Sequence, residues 1–217
     1  MSPRQPRRRS YDQYCASARA LDAVGDRWTL LIVRELLAGP RRYTDLHADL
    51  PGVSTDVLAG RLKDMESHGL ATRRKLPPPG AVTVYELTAR GAELLPVLTA
   101  LAEWGAPELA ERRPTDAVRA HWFALPLLRR LPASGSPAVV EVVLDEGVFH
   151  VRLGGEGPAY GDGPASLPDA RLVLDADTCR EVGDGVLGVE QGIKAGRIEV
   201  HGDGPYAAEL RGEAAAS

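Results

Sequence analysis

Residues 54–68 read STDVLAGRLKDMESH, and this stretch determines the expected fold. Leu58, Leu62 and Met65 recur at spacings of four and three, which places them on one face of an α-helix. Ser54 is a good N-cap because its side-chain oxygen can accept a hydrogen bond from the first free backbone N–H groups. The stretch therefore predicts a helix that buries one face and exposes the other.

The exposed face of this helix carries small and basic residues. With 3.6 residues per turn, it should present Thr55, Asp56, Ala59, Gly60 and Lys63, with Arg61 at the flank. Small side chains let a helix approach base edges closely, while Arg and Lys bind phosphates and guanine. The pattern predicts entry into a DNA major groove. An ordinary solvated helix face is the alternative that spacing alone leaves open.

The neighbouring segments predict a helix-turn-helix with a wing. Further helices are expected at 14–25, from Trp28 to Gly39-Pro40, before Pro51-Gly52, and from Thr88 to Gly105. Residues 70–76 and 81–87 read as two strands around a proline-rich turn. Two helices joined by a tight turn and followed by a hairpin form a winged helix-turn-helix.

Basic residues lie where such a module meets DNA. Residues 1–11 form a basic arm that is expected to be disordered. The predicted DNA-binding residues are Arg41, Arg42, Ser54, Thr55, Asp56, Ala59, Arg61, Lys63, Arg73, Arg74 and Lys75.

Residues 14–105 resemble the HxlR-type winged helix-turn-helix regulators. The resemblance is carried by ALDAVGDRWTLLI (20–32), GPRRYTDL (39–46), YELT (85–88) and Trp104-Gly105. It implies a DNA-binding repressor of transcription that forms a homodimer, largely through its first and last helices. Its two recognition helices would read a palindromic operator in double-stranded DNA, about one helical turn apart. Two departures are that Asp26-Arg27 stands where glycine and lysine are usual, and Tyr43 where phenylalanine is common.

Cys15 matches a cysteine that some members of this family use to sense oxidants or aldehydes. The chemistry would be attack by the thiolate, favoured if a helix N-terminus or Arg19 lowers the thiol pKa. Redox or electrophile sensing through Cys15 is therefore a second hypothesis of regulation. The alternative is a small buried residue in the dimer-forming helix.

The second half of the chain differs in composition from the first. Residues 1–105 carry 15 Lys and Arg against 12 Asp and Glu, whereas residues 106–217 carry 11 against 18. The second stretch also holds 15 of the 23 glycines. Two domains are expected, at 12–105 and 115–217, joined by a polar linker at 106–114 that prolines bound.

Periodicity predicts an α+β fold for the second domain. It indicates a helix over 115–131 that Pro126 should kink or break, strands at 138–144, 148–153, 156–161, 170–174 and 197–201, and helices within 177–195 and 204–211.

The second domain resembles the sterol carrier protein type 2-like fold, most strongly over GIKAGRIEVHGD (192–203). The resemblance implies a curved, mainly antiparallel sheet and helices that enclose an apolar tunnel for a hydrophobic small molecule. The residues expected to line the tunnel are Trp122, Phe123, Leu127, Val186, Val189 and Ile193. A solid core is the alternative. A carrier protein whose winged helix serves only dimerisation is another.

Other classes have little support in the sequence. Residues 183–188 (GDGVLG) match G-x-G-x-x-G, but a dinucleotide fingerprint follows a strand and opens a long helix, whereas 177–182 reads as helical. The five histidines have no paired metal spacing. We predict no catalytic residue, metal or cofactor, and no enzyme activity.

A membrane partner is not expected either. The longest apolar run, Trp28 to Val33, is far shorter than the roughly 20 residues that cross a bilayer. No apolar stretch follows the basic start to make a secretory signal, so a cytoplasmic protein is expected.

Overall fold

The computed structural model describes residues 10–77, 82–109, 113–155 and 157–213, and these form two compact units. The first unit contains the described residues up to Leu36 together with Arg41–Ala92. The second contains Leu37–Pro40 and the described residues from Glu93 onward. Most of the predicted basic arm, residues 1–9, lies outside the described residues.

The first unit has the elements of a winged helix-turn-helix. Its helices are α1 (Ala16–Val24), α2 (Thr29–Leu37), α3 (Tyr43–Asp49), α4 (Thr55–Ser67) and α5 (Ala89–Ala92). Its strands are β1 (Arg41–Arg42), β2 (Ala71–Lys75) and β3 (Thr83–Leu87). In the part of the unit that the structure describes, the strands pair antiparallel in the order β1-β3-β2.

Helix α4 confirms the prediction made from residues 54–68. Ser54 is its N-cap, and the Ser54 hydroxyl accepts a hydrogen bond from the Val57 backbone N–H at 3.3 Å. Leu58, Leu62 and Met65 are fully buried, as the spacing predicts. The turn before α4 contains Gly52 at a φ of +86°, a conformation that glycine adopts without steric cost. Core packing and a cap therefore both define this helix.

The helix expected from Thr88 to Gly105 is interrupted. It divides into α5 and α6 (Leu95–Gly105), with Pro96 in the first turn of α6. Proline has no backbone N–H and its ring clashes with the carbonyl four residues before it, so it is tolerated only at a helix start. Pro96 therefore explains why the helix begins anew. Because α6 belongs to the second unit, the expected boundary after residue 105 lies inside that unit.

The second unit is α+β, as the sequence predicts. Besides α6, its helices are α7 (Ala124–Leu128), α8 (Ala176–Asp184), α9 (Val189–Lys194) and α10 (Pro205–Arg211), with 3-10 turns at Ala106–Leu109 and Ala120–Phe123. Its strands are β4 (Ala138–Leu144), β5 (Gly147–Leu153), β6 (Tyr160–Asp162), β7 (Ala170–Val173) and β8 (Glu199–His201). Among the described residues the sheet order is β6-β5-β4-β7-β8, with β4 and β7 parallel and the other pairs antiparallel.

Two features of this unit differ from simple alternation. The helix expected over 115–131 is reduced to a 3-10 turn and the five-residue α7, with Pro126 inside α7. The buried strand β4 contains Glu141, whose carboxylate accepts hydrogen bonds from Arg171 Nε at 2.6 Å and from the Ala165 backbone N–H at 2.9 Å. These contacts satisfy a charge that would otherwise be costly to bury.

No helix in the described ranges is both long enough and apolar enough to span a membrane.

Candidate nucleic-acid interface

The outward face of α4 is open within the first unit. Thr55, Asp56, Ala59 and Lys63 are exposed, and a Cβ added at Gly60 would meet no atom within 4 Å. The surface has no large side chain over its middle and a lysine on one side. It therefore has the shape and charge that close approach to a base-pair edge requires.

The start of α4 is tied to the preceding helix. The Tyr43 hydroxyl in α3 donates a hydrogen bond to the Thr55 carbonyl oxygen at 2.8 Å. This contact spans the turn of the helix-turn-helix. It holds the end of α4 that commonly contacts base edges in such motifs.

Arg61 does not lie where the sequence pattern predicts. Its side chain is only 15% exposed, and it forms ion pairs with Asp26 and with Asp64, the latter at 3.0 Å. The guanidinium faces two carboxylates of its own unit. The expectation that Arg61 reaches a phosphate or guanine is therefore corrected.

Arg41 requires the same correction, whereas Arg42 does not. Arg41 is also 15% exposed and pairs with Asp49 at 3.7 Å. Arg42, the next residue along β1, is exposed. Consecutive side chains of a strand point to opposite faces, so only one of the two arginines can face solvent fully.

The basic residues of the wing differ in what they contact. Arg73 Nε lies 2.8 Å from Glu66 in α4, and Arg74 lies 2.8 Å from Glu86 in β3. The Glu86 carboxylate raises the pKa of Arg74. Lys75 is exposed, and among the described residues no carboxylate forms an ion pair with it or with Lys63. Arg42, Lys63 and Lys75 are therefore the predicted basic residues best placed to meet phosphates.

Pattern alone did not identify Asp26, Tyr43 and Glu66, which hold α4 in place. Asp26 and Tyr43 are both departures from the HxlR pattern noted above, and that was the available signal. Nothing in the sequence marked Glu66, because its partner Arg73 lies on a different element.

Cys15 is the exposed N-cap residue of α1. The backbone N–H groups of Ala18 and Ser17 lower the pKa of its thiol. Arg19, the other expected cause, instead lies 3.6 Å from Asp22. Cys179 is buried in α8, and burial raises the pKa of its thiol to about 12. The two cysteines therefore differ strongly in expected reactivity.

The six residues expected to line an apolar tunnel differ in burial. Leu127 and Val189 are buried in the core of the second unit, and Trp122, Phe123 and Ile193 are half-buried. Val186 is 74% exposed, so the expectation that it lines an enclosed tunnel is corrected.

The second unit also has a small cleft between α6, α7 and α8. Its volume is about 30 Å³, roughly the room that one water molecule takes up in the liquid. It is lined by Thr99, Ala102, Glu103, Ala106, Pro126, Arg129, Arg130, Gly183 and Asp184. None of the six expected residues is among them.

The first unit therefore has a helix-turn-helix whose second helix presents an open, small and basic surface, next to a basic hairpin. This combination defines a winged helix-turn-helix DNA-binding module.

Comparison with known proteins gives the family. Residues 23–113 match the HxlR-like helix-turn-helix family. The HTH-type regulator YvaP of Bacillus subtilis is 37% identical over 86 residues, covering 40% of this chain and 80% of that protein. YodB of Bacillus subtilis is 33% identical over 85 residues, covering 39% of this chain and 76% of that protein. The reduced form of YodB superposes with a TM-score of 0.40 at 30% identity, covering 48% of this chain and 100% of that one.

The chain belongs to the HxlR-like helix-turn-helix family of transcriptional regulators.

Proposed function

We propose that this protein is a homodimeric repressor that reads a palindromic operator through helix α4 of each protomer. The observation that carries the proposal is the open surface of Thr55, Asp56, Ala59 and Lys63 above a fully buried Leu58, Leu62 and Met65. One face of α4 is fixed in the core and the other is free to enter a groove. Because a regulator of transcription acts where the DNA is, the cytoplasm is the proposed compartment.

Exposed apolar side chains support a second copy of the chain as a partner. In α6, Val97, Leu101 and Trp104 recur at spacings of four and three, and Trp104 is 80% exposed. In the first unit, Tyr14 and Leu21 at α1 are exposed as well. An apolar stripe on a helix is typical of a surface that another chain covers. We assign it to pairing between protomers, as the resemblance to HxlR-type regulators implies.

The second unit is proposed to bind an apolar small molecule and to change DNA affinity when it does. The support is its α+β composition with a mainly antiparallel sheet, and the half-buried Trp122, Phe123 and Ile193. Helix α6 belongs to this unit and carries the apolar stripe, so a change in packing here bears on dimerisation. Regulation requires that the molecule bind the DNA-bound and free forms with different affinity.

DNA binding is tested with a duplex selected by the protein from a random-sequence library. Fluorescence anisotropy at several salt concentrations gives the dissociation constant and its salt dependence. Lys63→Ala and Lys75→Ala should each weaken binding and lower the salt slope by about 0.9, the value for one lost phosphate contact. Lys194→Ala is the matched control, because this exposed lysine lies in the second unit and pairs with Glu190 at 2.5 Å. Failure to enrich any duplex at low salt and micromolar protein would exclude the DNA-binding proposal.

The effector proposal is tested by native mass spectrometry of the purified protein. A copurifying apolar molecule whose removal changes DNA affinity supports regulation through the second unit. Such a molecule without any preference for the selected duplex favours a carrier protein that uses its winged helix only to dimerise.

Thiol sensing is a second candidate because Cys15 is exposed and its pKa is lowered. Diamide treatment should change the DNA affinity of the native protein and of Cys179→Ser, but not of Cys15→Ser. Equal responses of Cys15→Ser and the native protein would exclude sensing through Cys15.

A further inference from the structure

We propose that the ion pair between Arg61 and Asp26 is a positioning device that sets the orientation of α4 and thereby governs discrimination between operator and other DNA. The inference rests on the proposed DNA-binding function. It assigns to Arg61 and Asp26 a role in which neither residue touches DNA.

The contacts of α4 are distributed around its axis. Arg61 and Glu66 are five residues apart, so at 3.6 residues per turn their side chains leave the helix about 140° apart. On one side Arg61 pairs with Asp26, and on the other Glu66 pairs with Arg73 of the wing at 2.8 Å. Two ion pairs from different elements therefore oppose rotation of α4 about its own axis.

The residue that holds Arg61 is itself fixed. Asp26 lies in the turn that opens α2, and its carbonyl oxygen accepts a hydrogen bond from the Thr29 backbone N–H at 3.1 Å. Ile32 and Val33, one turn further along α2, are fully buried. The carboxylate of Asp26 is thus attached to the core of the unit and not to a free loop.

The geometry of Arg61 suits a structural tie better than a DNA contact. The guanidinium is planar and donates in a fixed fork, which allows it to meet Asp26 and Asp64 together. Its side chain is mostly buried, whereas Lys63, two residues later on the same helix, is exposed. One basic residue of α4 therefore faces the protein and the other faces solvent.

Orientation matters more for specific than for non-specific binding. Contacts with base edges require the side chains of α4 to be held close to their productive geometry. Attraction to phosphates is long-ranged and tolerates small displacements. Loss of the Arg61–Asp26 pair should therefore reduce operator affinity and leave affinity for unrelated DNA nearly unchanged.

Asp26→Asn gives the sharpest test, because the competing explanations predict opposite signs. If charge alone mattered, removal of a carboxylate from a DNA-binding unit would strengthen binding to every duplex. If the pair positions α4, the ratio of affinities for the selected and a scrambled duplex should fall about tenfold, with the salt slope unchanged. Asp26→Glu, which retains a carboxylate, should restore part of the ratio. Asp145→Asn, in the exposed turn between β4 and β5, is the charge-matched control and should change nothing.

Arg61→Ala should lower the same ratio without changing the salt slope, whereas Lys63→Ala should reduce the slope. Thermal unfolding of each variant identifies the temperature range in which it is fully folded, and binding is measured there. A decrease of about 0.9 in the slope of Arg61→Ala would make Arg61 a phosphate contact and overturn the proposal. So would tighter binding of Asp26→Asn to both duplexes. If the native protein binds neither duplex, the DNA-binding function itself fails, an outcome distinct from both.

Discussion

Gly60 and Gly183 both lie inside helices, but a methyl group would meet different surroundings at each. At Gly60 in α4, an added Cβ has no neighbour within 4 Å. At Gly183 in α8, an added Cβ would lie 2.6 Å from the Cβ of Pro126 in α7. Gly183 therefore permits the close approach of two helices, whereas the packing of the unit does not require Gly60.

Replacement of these glycines by alanine should have opposite effects on stability. Gly60→Ala should raise the free energy of unfolding by up to about 1 kcal/mol, because alanine is the better helix former. Gly183→Ala should lower it by about 1–3 kcal/mol, because the methyl group overpacks the contact with Pro126. Urea unfolding at constant slope measures both changes. Equal effects of the two substitutions would contradict the difference in packing.

The motif GDGVLG at 183–188 illustrates why a pattern without its structural context misleads. Gly183 packs against Pro126, and Gly185 follows α8 in a left-handed conformation at a φ of +76°. Gly188 is the N-cap of α9 in extended conformation. Each glycine thus has its own local reason, and no strand leads into the motif as a dinucleotide site requires.

The two cysteines should differ in their alkylation by iodoacetamide in the folded protein. Because the pKa of Cys15 is lowered, its thiolate should form, and its labelling rate should rise, below the ordinary thiol pKa of about 8.5. Cys179, with a pKa of about 12, should remain unlabelled until the protein unfolds. Mass spectrometry of peptides labelled between pH 6 and 9 checks both expectations. Labelling of Cys179 at the rate of Cys15 would refute them.

At the scale of elements, local signals identified most of the first unit and less of the second. Helix α4 and the wing strands were predictable because a cap, an apolar spacing and a change of period mark them in the sequence. The helix expected over 115–131 was not found in full, since Trp122, Phe123 and Leu127 are apolar at helical spacing but Pro126 interrupts regular hydrogen bonding. Apolar spacing reports burial and does not by itself report the length of a helix.

Helix α8 should owe part of its stability to its N-cap. The Asp175 carboxylate accepts a hydrogen bond from the Thr178 backbone N–H at 2.6 Å, and this contact lowers the pKa of Asp175. Asp175→Ala should therefore lower the free energy of unfolding at pH 7 by about 1 kcal/mol. Asp177→Ala, which removes an acidic side chain in the same turn, is the matched control and should cost less.

The sign of the pH dependence of this cap follows from the lowered pKa. The contribution of the charged carboxylate is fully present above the unfolded-state value of about 3.9 and decreases as the pH falls through the lower folded-state value. The difference between Asp175→Ala and the native protein should therefore shrink in strong acid. A difference that stays constant from pH 7 to pH 2 would contradict a role for the charge.

At the scale of the molecule, the sequence predicted which surface of α4 is open but not which basic side chains are free. Lys63 is exposed as expected, whereas Arg41 and Arg61 pair with Asp49 and Asp26. Asp26 and Arg61 are 35 positions apart in the chain, so their pairing depends on how α2 and α4 pack. A spacing rule within one helix contains no information on such a partner.

Dimerisation should depend on the apolar stripe of α6. Val97→Glu would place a carboxylate in the proposed interface and should weaken self-association by about tenfold or more, since an unpaired buried charge is costly. Val186→Glu makes the same chemical change at an exposed valine outside the stripe and should have no effect. Sedimentation velocity over a range of protein concentrations measures both. A Val97→Glu variant that associates like the native protein would exclude this face as the interface.

Helix α6 has a double membership that affects how such genes can recombine. The family match extends over it, because it ends at residue 113, yet its buried side packs with α7 and Glu103 pairs with Arg129. A regulator that exchanged everything after residue 105 for a different sensing module would keep a helix whose inner side had lost its contacts. New sensors could be grafted onto this reader without loss of solubility only if the junction fell before Glu93, or if the incoming module supplied its own cover for Leu98 and Ala102.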